Sequence, residues 1–289
     1  MRFGTGLLFL LLGALTAGAQ DTNSTPPSPA PSPAKPGTYF QAHVDQPYIA
    51  MTFDDGPSAE NTPRLLEILK QRNIKATFFL IGQNVAANPD IVRRILADGH
   101  EIGNHTWTHP QLSKLSDDKV TSEIAKTQEA IKDASGYTPT LLRPPYGAIT
   151  PRQREWIASQ LGLNVIIWSV DPFDWKRPGS AVITQRILSQ VRPGAIILSH
   201  DIHKQTVEAM PATFDGLIAK GYKFVTVSQL IALNKPKPPA TETAGSDKTQ
   251  KTKKGAPGTV PASTGSQTLQ TPVPADASGS KPAPAPAAQ

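Results

Sequence analysis

The sequence contains no cysteine in its 289 residues. A disulfide framework is therefore excluded, and so is attachment to a membrane through a lipid-modified cysteine. No glycine-rich GxGxxG turn follows the first predicted strand, so a dinucleotide-binding fold receives no support. Only the N-terminus carries a long apolar run. A protein of this composition must be stabilised by its own hydrophobic core or by a bound metal.

The N-terminal apolar run extends from about Leu7 to Leu15, and the small-x-small sequence Ala17-Gly18-Ala19 follows it. A membrane-spanning helix needs about 20 apolar residues, more than this run provides. We therefore interpret residues 1–19 as a secretory signal peptide, cut after Ala19, rather than as an uncleaved anchor. The protein is expected to be secreted, or to be periplasmic or associated with the cell envelope.

Two further segments have compositions that do not build a core. Residues 20–38 are rich in Pro, Ser and Ala, which is typical of an extended linker. Residues 235–289 contain no aromatic residue and are expected to form a disordered tail. Seven lysines against three acidic residues give this tail a net charge of +4, out of +6 for the chain. The tail could associate with an anionic envelope polymer or simply add solubility, whereas nucleic-acid binding is not expected for an exported chain.

The remaining residues, 39–234, are predicted to fold as one monomeric domain in which strands alternate with amphipathic helices. The strand candidates are Tyr48–Phe53, Ala76–Leu80, His100–Asn104, Pro139–Leu142, Asn164–Val170, Ala195–Ser199 and Lys223–Thr226. This alternation predicts an α/β fold with a parallel sheet. Seven units are enough to close a distorted (β/α)7 barrel, and an open doubly wound sheet is the alternative.

Polar clusters follow five of these strands at their C-terminal ends. They are Thr52-Phe53-Asp54-Asp55-Gly56-Pro57, His105-Thr106-Trp107-Thr108-His109, Arg143-Pro144-Pro145-Tyr146-Gly147, Asp171-Pro172-Phe173-Asp174-Trp175 and Leu198-Ser199-His200. In a (β/α) barrel the C-terminal ends of the strands share one rim, and that rim holds the active site. We therefore expect these clusters to meet at one site.

His105 and His109 are four residues apart, a spacing that places two imidazoles on one face of a helix or tight loop. The pair alone is weak evidence, because histidines without a metal are more common. Asp55 would complete a set of two histidines and one carboxylate, which holds a divalent metal and leaves positions open for water and substrate. The choice of divalent ion stays open, since such sites accept several.

Asp54 and Asp55 also suggest a glycosidase, in which two carboxylates flank a sugar. That geometry requires carboxyl groups at least ~5 Å apart on opposite sides of the substrate, which neighbouring residues do not easily reach. We assign Asp55 to the metal and Asp54 to proton transfer. The remaining alternative is that both aspartates only cap the turn before Gly56.

In this order, the five motifs resemble those of the polysaccharide deacetylases of carbohydrate esterase family 4, the NodB homology group. The resemblance covers roughly residues 46–232. It implies a distorted (β/α)7 barrel and a metal-dependent hydrolase that removes N-acetyl groups from polysaccharides containing N-acetylglucosamine. Peptidoglycan, chitin-type polymers and poly-N-acetylglucosamine all carry this group, so the substrate stays open.

The resemblance also implies roles for individual residues. Asp55, His105 and His109 would bind the metal, which is usually Zn²⁺ in this family, with Co²⁺ or another divalent ion as alternatives. Asp54 would be the general base that takes a proton from water. Arg143 would pair with that base and keep it charged and oriented.

The remaining roles implied by the resemblance concern the leaving group and the substrate. His200 would be the general acid that protonates the leaving amine, and Asp174 would favour its protonated form. The backbone N–H of Tyr146 would help to hold the oxyanion. Trp175 and Leu198 would form the walls of the pocket for the acetyl methyl group.

Two other functions remain open at this point. The same site can cleave esters, so the protein could be an O-acetyl xylan esterase. A glycan-binding wall protein with an idle barrel is the other alternative, but it is disfavoured because the metal set, the base and the acid are all present. Asp201 is expected to orient a neighbouring loop or histidine, and His100 and Trp168 are expected to serve packing.

Overall fold

The computed structural model describes Met1 and residues 36–235. Apart from Met1, residues 36–38 and Lys235, the predicted signal peptide, linker and basic tail lie outside the described residues. Among the helices of the described part, none combines the length and the apolar character of a membrane span.

Within residues 36–235, eight short strands form one curled parallel sheet. They are β1 (Thr38–Tyr39), β2 (Tyr48–Asp54), β3 (Thr77–Leu80), β4 (Glu101–Asn104), β5 (Leu141–Leu142), β6 (Asn164–Ile166), β7 (Ile196–Ile197) and β8 (Lys223–Phe224). Their order is β1-β6-β5-β4-β3-β2-β7, and β8 also pairs with β2. The seven predicted strands are therefore confirmed. β1 was not predicted, because it begins in a segment whose composition is typical of a linker.

The sheet curls so that β7 contacts both β2 and the segment that follows β6. Ala50 in β2 lies beside Ile196 in β7. On the other side, Val170, beyond the end of β6, bridges to Ile197. Leu198 donates its N–H to the carbonyl of Val170 at 2.9 Å. This arrangement confirms the distorted (β/α)7 barrel and excludes the open doubly wound sheet.

Helices connect the strands and cover the outside of the barrel. They are α1 (Asn61–Gln71), α2 (Gly82–Ala87), α3 (Pro89–Ala97), α4 (Asp117–Ser135), α5 (Pro151–Leu161), α6 (Ser180–Gln190), α7 (Lys204–Ala219) and α8 (Val227–Ala232). Local signals explain several ends. Thr150 and Gln153 form a capping box at the start of α5, and Gly136 ends α4 in the left-handed conformation.

The core lies between the strands and the apolar stripes of these helices. In β2, Ile49, Met51 and Phe53 are fully buried, and they belong to the same cluster as Leu65 and Leu69 of α1. Burying one such side chain contributes roughly 1.5–3 kcal/mol. A chain without disulfides thus has a hydrophobic core, built from three clusters, that holds the strand ends and the loops after them in fixed positions.

Candidate active site

The loops after the strands carry most of the unusual backbone of the molecule. Seven non-glycine residues of the described chain have positive φ, and five of them lie in the motif loops. These five are Asp55, Thr106, His109, Tyr146 and Phe173. A non-glycine residue in this region costs roughly 1–3 kcal/mol, and such strain persists where the surrounding structure imposes it. The concentration of strained residues at the barrel rim indicates a functional site.

The motif loops enclose a pocket of about 420 Å³. It is lined by Asp54, Asp55, His105, His109, Tyr146, Trp168, Asp171, Trp175, Leu198 and His200. Eight of the ten predicted site residues therefore line it, and the other two, Arg143 and Asp174, lie behind it in contact with pocket residues. A larger and more open groove of about 760 Å³ lies along α6 and α7, but the only titratable side chains lining it are Glu208 and Lys220. We place the chemistry in the motif pocket.

Asp55, His105 and His109 form the one metal-competent cluster found in the described part of the chain. Oδ1 of Asp55 lies 3.3 Å from Nε2 of His105 and 3.2 Å from Nε2 of His109. This oxygen is buried and has no hydrogen-bond partner. Leaving a buried acceptor unpaired costs about 1–3 kcal/mol, and a cation held between these three atoms would satisfy it. The donor set therefore fits a divalent metal ion.

The protonation of His105 suits a metal ligand. Its Nδ1 lies 2.7 Å from the backbone carbonyl of Arg143. A carbonyl only accepts, so Nδ1 carries the proton and the lone pair of Nε2 faces Asp55. Burial raises the pKa of Asp55, but the neighbouring His105, His200 and His109 outweigh this effect and lower the pKa to about 2. Asp55 is thus ionised at neutral pH.

Asp54 and Arg143 form a buried ion pair. Nη1 of Arg143 donates to Oδ1 of Asp54 at 2.7 Å and to the hydroxyl of Thr52 at 2.6 Å. The guanidinium is fully buried and lies 4.1 Å from the centroid of the Phe79 ring. The other oxygen of Asp54, Oδ2, is 3.7 Å from Nε2 of His105. Arg143 therefore fixes one carboxylate oxygen and leaves the other facing the metal-competent cluster.

His200 is held by the buried carboxylate of Asp174. Oδ1 of Asp174 lies 2.9 Å from Nδ1 of His200, and Oδ2 accepts hydrogen bonds from the backbone of His200 and from Thr206, both at 2.8 Å. Burial lowers the pKa of His200, but the contact with Asp174 outweighs it and raises the pKa to about 9. The imidazole is therefore protonated at neutral pH.

The remaining predicted residues lie on the pocket walls. Leu198 is buried, whereas Tyr146 and Trp175 are exposed. The structure adds two lining residues that sequence reasoning had not selected, Trp168 and Asp171. Asp171 is the first residue of the motif Asp171-Pro172-Phe173-Asp174-Trp175. Because this motif lies at a strand end, the sequence already indicated that Asp171 is near the site. Trp168 had none, because an aromatic residue near a buried strand is usually part of the core.

Comparison with known proteins agrees with the geometry of the site. Residues 41–166 match the family model for polysaccharide deacetylase. A peptidoglycan-N-acetylglucosamine deacetylase of Listeria monocytogenes is 47% identical over 182 residues, which is 63% of this chain but only 38% of that protein. The chain thus spans well under half the length of this relative.

Two other matches extend over most of the matched chain. A peptidoglycan-N-acetylglucosamine deacetylase of Bacillus cereus is 42% identical over 200 residues, which cover 68% of this chain and 72% of that protein. A crystal structure of the Bc1960 peptidoglycan N-acetylglucosamine deacetylase superimposes with a TM-score of 0.64 at 40% identity. That match covers 67% of this chain and 92% of the crystallised chain.

Proposed function

The chain belongs to the polysaccharide deacetylase family, and we propose that it hydrolyses N-acetyl groups of a polysaccharide that contains N-acetylglucosamine, with peptidoglycan as the first candidate. In this reaction the amide C–N bond breaks, water adds its oxygen to the acetyl carbon, and acetate and a free amino sugar are released. One observation carries the proposal. A metal-competent cluster, a carboxylate paired with arginine and a protonated histidine all face the same pocket.

Asp55, His105 and His109 would hold the metal, and the donor set suits Zn²⁺, with Co²⁺ or another divalent ion as alternatives. Such an ion would acidify a water molecule and polarise the acetyl carbonyl. The chain contributes the orientation of the ligands. The carbonyl of Arg143 sets the tautomer of His105, and Asn84 fixes the strained backbone of Asp55 by donating to its carbonyl at 2.7 Å.

Asp54 would be the general base. Its free oxygen faces the metal-competent cluster, where a water molecule could deliver its proton within hydrogen-bond reach. Arg143 holds the other oxygen and so fixes the orientation of the carboxylate. The pair is buried, so the orientation of the carboxylate does not depend on solvent.

His200 would be the general acid. Its Nδ1 is engaged by Asp174, which leaves Nε2 to donate a proton to the departing amine. Leu198 and Trp175 would form the walls of the acetyl pocket, and the backbone N–H of Tyr146 would help to hold the oxyanion.

The choice of substrate distinguishes two alternative functions from the proposed one. An O-acetyl xylan esterase would use the same groups on an ester, so it would release acetate from O-acetylated xylan faster than from N-acetylated glycans. A non-catalytic glycan-binding protein would release acetate from neither. The presence of the metal-competent cluster, Asp54 and His200 in one pocket counts against this second alternative. The predicted signal peptide and the names of the relatives together support a location outside the cytoplasm, at the envelope or secreted.

The proposal is tested by measuring acetate release from peptidoglycan, chitin oligomers, poly-N-acetylglucosamine and O-acetyl xylan, before and after chelation. We expect release from at least one N-acetylated glycan, loss of activity with the chelator, and recovery with Zn²⁺ or Co²⁺. Activity that survives complete metal removal would contradict the mechanism, and faster release from O-acetyl xylan would favour the esterase.

A further inference from the structure

Exposed aromatic side chains cluster beside the motif pocket. Tyr146, Phe173 and Trp175 are 69%, 40% and 47% exposed, although large apolar side chains in the described chain are mostly buried. Tyr146 and Trp175 line the pocket, and Phe173 precedes Trp175 on the same loop. Apolar surface grouped in this way marks a binding surface rather than part of the core.

The loop from Phe173 to Arg177 forms what we call the cation–aromatic shelf, with Phe173, Trp175, Lys176 and Arg177 as its members. The rings of Phe173 and Trp175 lie 6.0 Å apart at an angle of 60°. Nζ of Lys176 is 4.9 Å from the centroid of the Trp175 ring and 5.3 Å from that of Phe173. An ammonium group is thus placed directly beside two rings that open to solvent.

The shelf is held in place by its backbone. Phe173 and Arg177 both have positive φ, at 54° and 52°. Asp171 accepts the N–H of Phe173 at 2.7 Å, and Arg186 donates to the carbonyl of Pro172 at 2.9 Å. Asp174, in the middle of the loop, is bound to His200. The shelf is therefore rigidly connected to the catalytic pocket.

No carboxylate of the described residues neutralises the two cations of the shelf. Lys176 and Arg177 are exposed, and neither forms an ion pair with a carboxylate in residues 36–235. Both acidic side chains of this loop are already engaged, Asp171 by the backbone of Phe173 and Asp174 by His200. By contrast, Arg72 and Arg152 elsewhere on the surface each pair with an aspartate.

We propose that the cation–aromatic shelf binds a sugar adjacent to the one being deacetylated, and that Lys176 and Arg177 recognise a carboxylate carried by that part of the glycan. Aromatic faces pack against the apolar faces of sugar rings, and the cations supply the charge complement. The preferred substrate would then be a carboxylate-bearing glycan rather than a neutral one. This inference rests on the proposed function, because it requires the acetylated sugar to occupy the motif pocket.

The carboxylate could come from two sources, a lactyl group on the sugar ring or a peptide attached to it. Three substrates of equal length distinguish them. These are a neutral N-acetylglucosamine oligomer, a glycan alternating N-acetylglucosamine with peptide-free N-acetylmuramic acid, and the same glycan carrying its peptides. Lys176→Met and Arg177→Gln remove charge while keeping much of each side chain. Lys220→Met removes an exposed charge just after α7, away from the motif pocket.

For each variant we would measure kcat/KM on the three glycans at low and high salt. Loss of a rim charge pair corresponds to about a fivefold effect at most. We expect the ratio of kcat/KM for the carboxylate-bearing glycan over the neutral oligomer to fall about two- to fivefold in Lys176→Met, mainly through KM. The preference of the wild type should weaken at high salt, and Lys220→Met should leave the ratio unchanged.

An equal effect on all three glycans, or none, would overturn the proposal. An effect confined to the peptide-bearing glycan would assign the carboxylate to the peptide. An effect confined to the peptide-free glycan would assign it to the lactyl group, because the lactyl carboxylate becomes an amide when the peptide is attached. An effect on both charged glycans would show that the shelf recognises either carboxylate. The two inferences fail in different ways. If the wild-type protein released acetate from every glycan without preference, only the proposed role of the shelf would be overturned. If it released acetate from none of them, the proposed function would be overturned as well.

Discussion

His105 donates its Nδ1 proton to the backbone carbonyl of Arg143 across 2.7 Å, while the guanidinium of the same arginine holds Asp54. One residue therefore orients a proposed metal ligand through its backbone and the proposed base through its side chain. Because the two functions use different parts of Arg143, substitutions at this position and at its partners should separate metal binding from proton transfer.

Asp54→Asn should retain the metal but lose turnover. Asparagine keeps the size of the side chain but cannot accept the proton, and positioned proton transfer contributes about 10²–10⁴-fold to a rate. His105→Ala should lose both the metal and activity, because it removes one of three donors. Metal content by elemental analysis, measured beside kcat on the same preparations, checks the division. If Asp54→Asn were purified without metal, the assignment of Asp54 to proton transfer alone would be wrong.

Arg143→Met should destabilise the protein by about 3–5 kcal/mol, because Asp54 would be left as a buried carboxylate without its partner. Urea denaturation gives the free energy of unfolding. Arg152→Met breaks an exposed ion pair with Asp117 and should leave the urea midpoint unchanged. Equal effects of the two substitutions would show that the buried pair is not what stabilises the pocket.

Asp174→Asn should move the alkaline limb of the kcat profile to lower pH. The proposed acid works only when protonated, so activity falls as pH rises through the pKa of His200, which Asp174 raises to about 9. A bound cation offsets part of the charge of Asp55, so the limb of the metal-loaded enzyme should lie at or below pH 9. Without the Asp174 carboxylate the pKa should return toward about 6.5. A limb that does not move would assign the alkaline titration to another group.

The fold and the site differ in how far the sequence predicts them. Seven strands were predictable because each is an apolar run that ends in turn residues. β1 was not, since a two-residue strand has no periodicity of its own and is formed by pairing Thr38 with Val165. The proposed metal donors were recognisable from residue type and spacing. The exposed pair Lys176 and Arg177 was not, because only the folded loop places Lys176 beside the rings of Phe173 and Trp175.

The role of Asp201 could also be predicted from the sequence only in part. The sequence suggests that it orients a loop, and the structure identifies the loop. Its fully buried carboxylate accepts a hydrogen bond from Thr62, whose hydroxyl oxygen in turn accepts the N–H of Ser58 at 2.7 Å. Asp201 also lies against Gly56, the residue after the proposed metal ligand Asp55. These contacts join the loop after β2 to the loop that carries His200, although the two are far apart in sequence.

Gly56→Ala should therefore impair metal binding. A Cβ atom at this position would lie 2.7 Å from Oδ1 of Asp201, a fully buried atom with little room to move. Overpacking of this kind costs about 1–3 kcal/mol, and displacement of the loop should weaken metal affinity and lower kcat. Metal titration and urea denaturation measure both effects. Gly216→Ala is the control, because its new Cβ would meet only the flexible end of Leu188, 2.8 Å away. Normal metal affinity in Gly56→Ala would contradict the coupling of the two loops.

His100 should make stability depend on pH below neutrality. It is 5% exposed and its Nδ1 accepts the backbone N–H of Ala76 at 3.1 Å, so the neutral form is favoured. Burial, with a smaller effect of Lys75, lowers its pKa to about 4. Between the unfolded pKa of about 6.5 and the folded pKa, the unfolded chain binds a proton that the folded chain does not. The contribution of His100 to the free energy of unfolding is therefore complete above about pH 6.5 and is lost as the pH falls toward 4.

From about pH 7.5 to about pH 5 the wild type should lose roughly 1–2 kcal/mol more of its free energy of unfolding than His100→Gln, as measured by urea denaturation at the two pH values. Parallel curves for the two proteins would show that His100 does not carry the proton uptake.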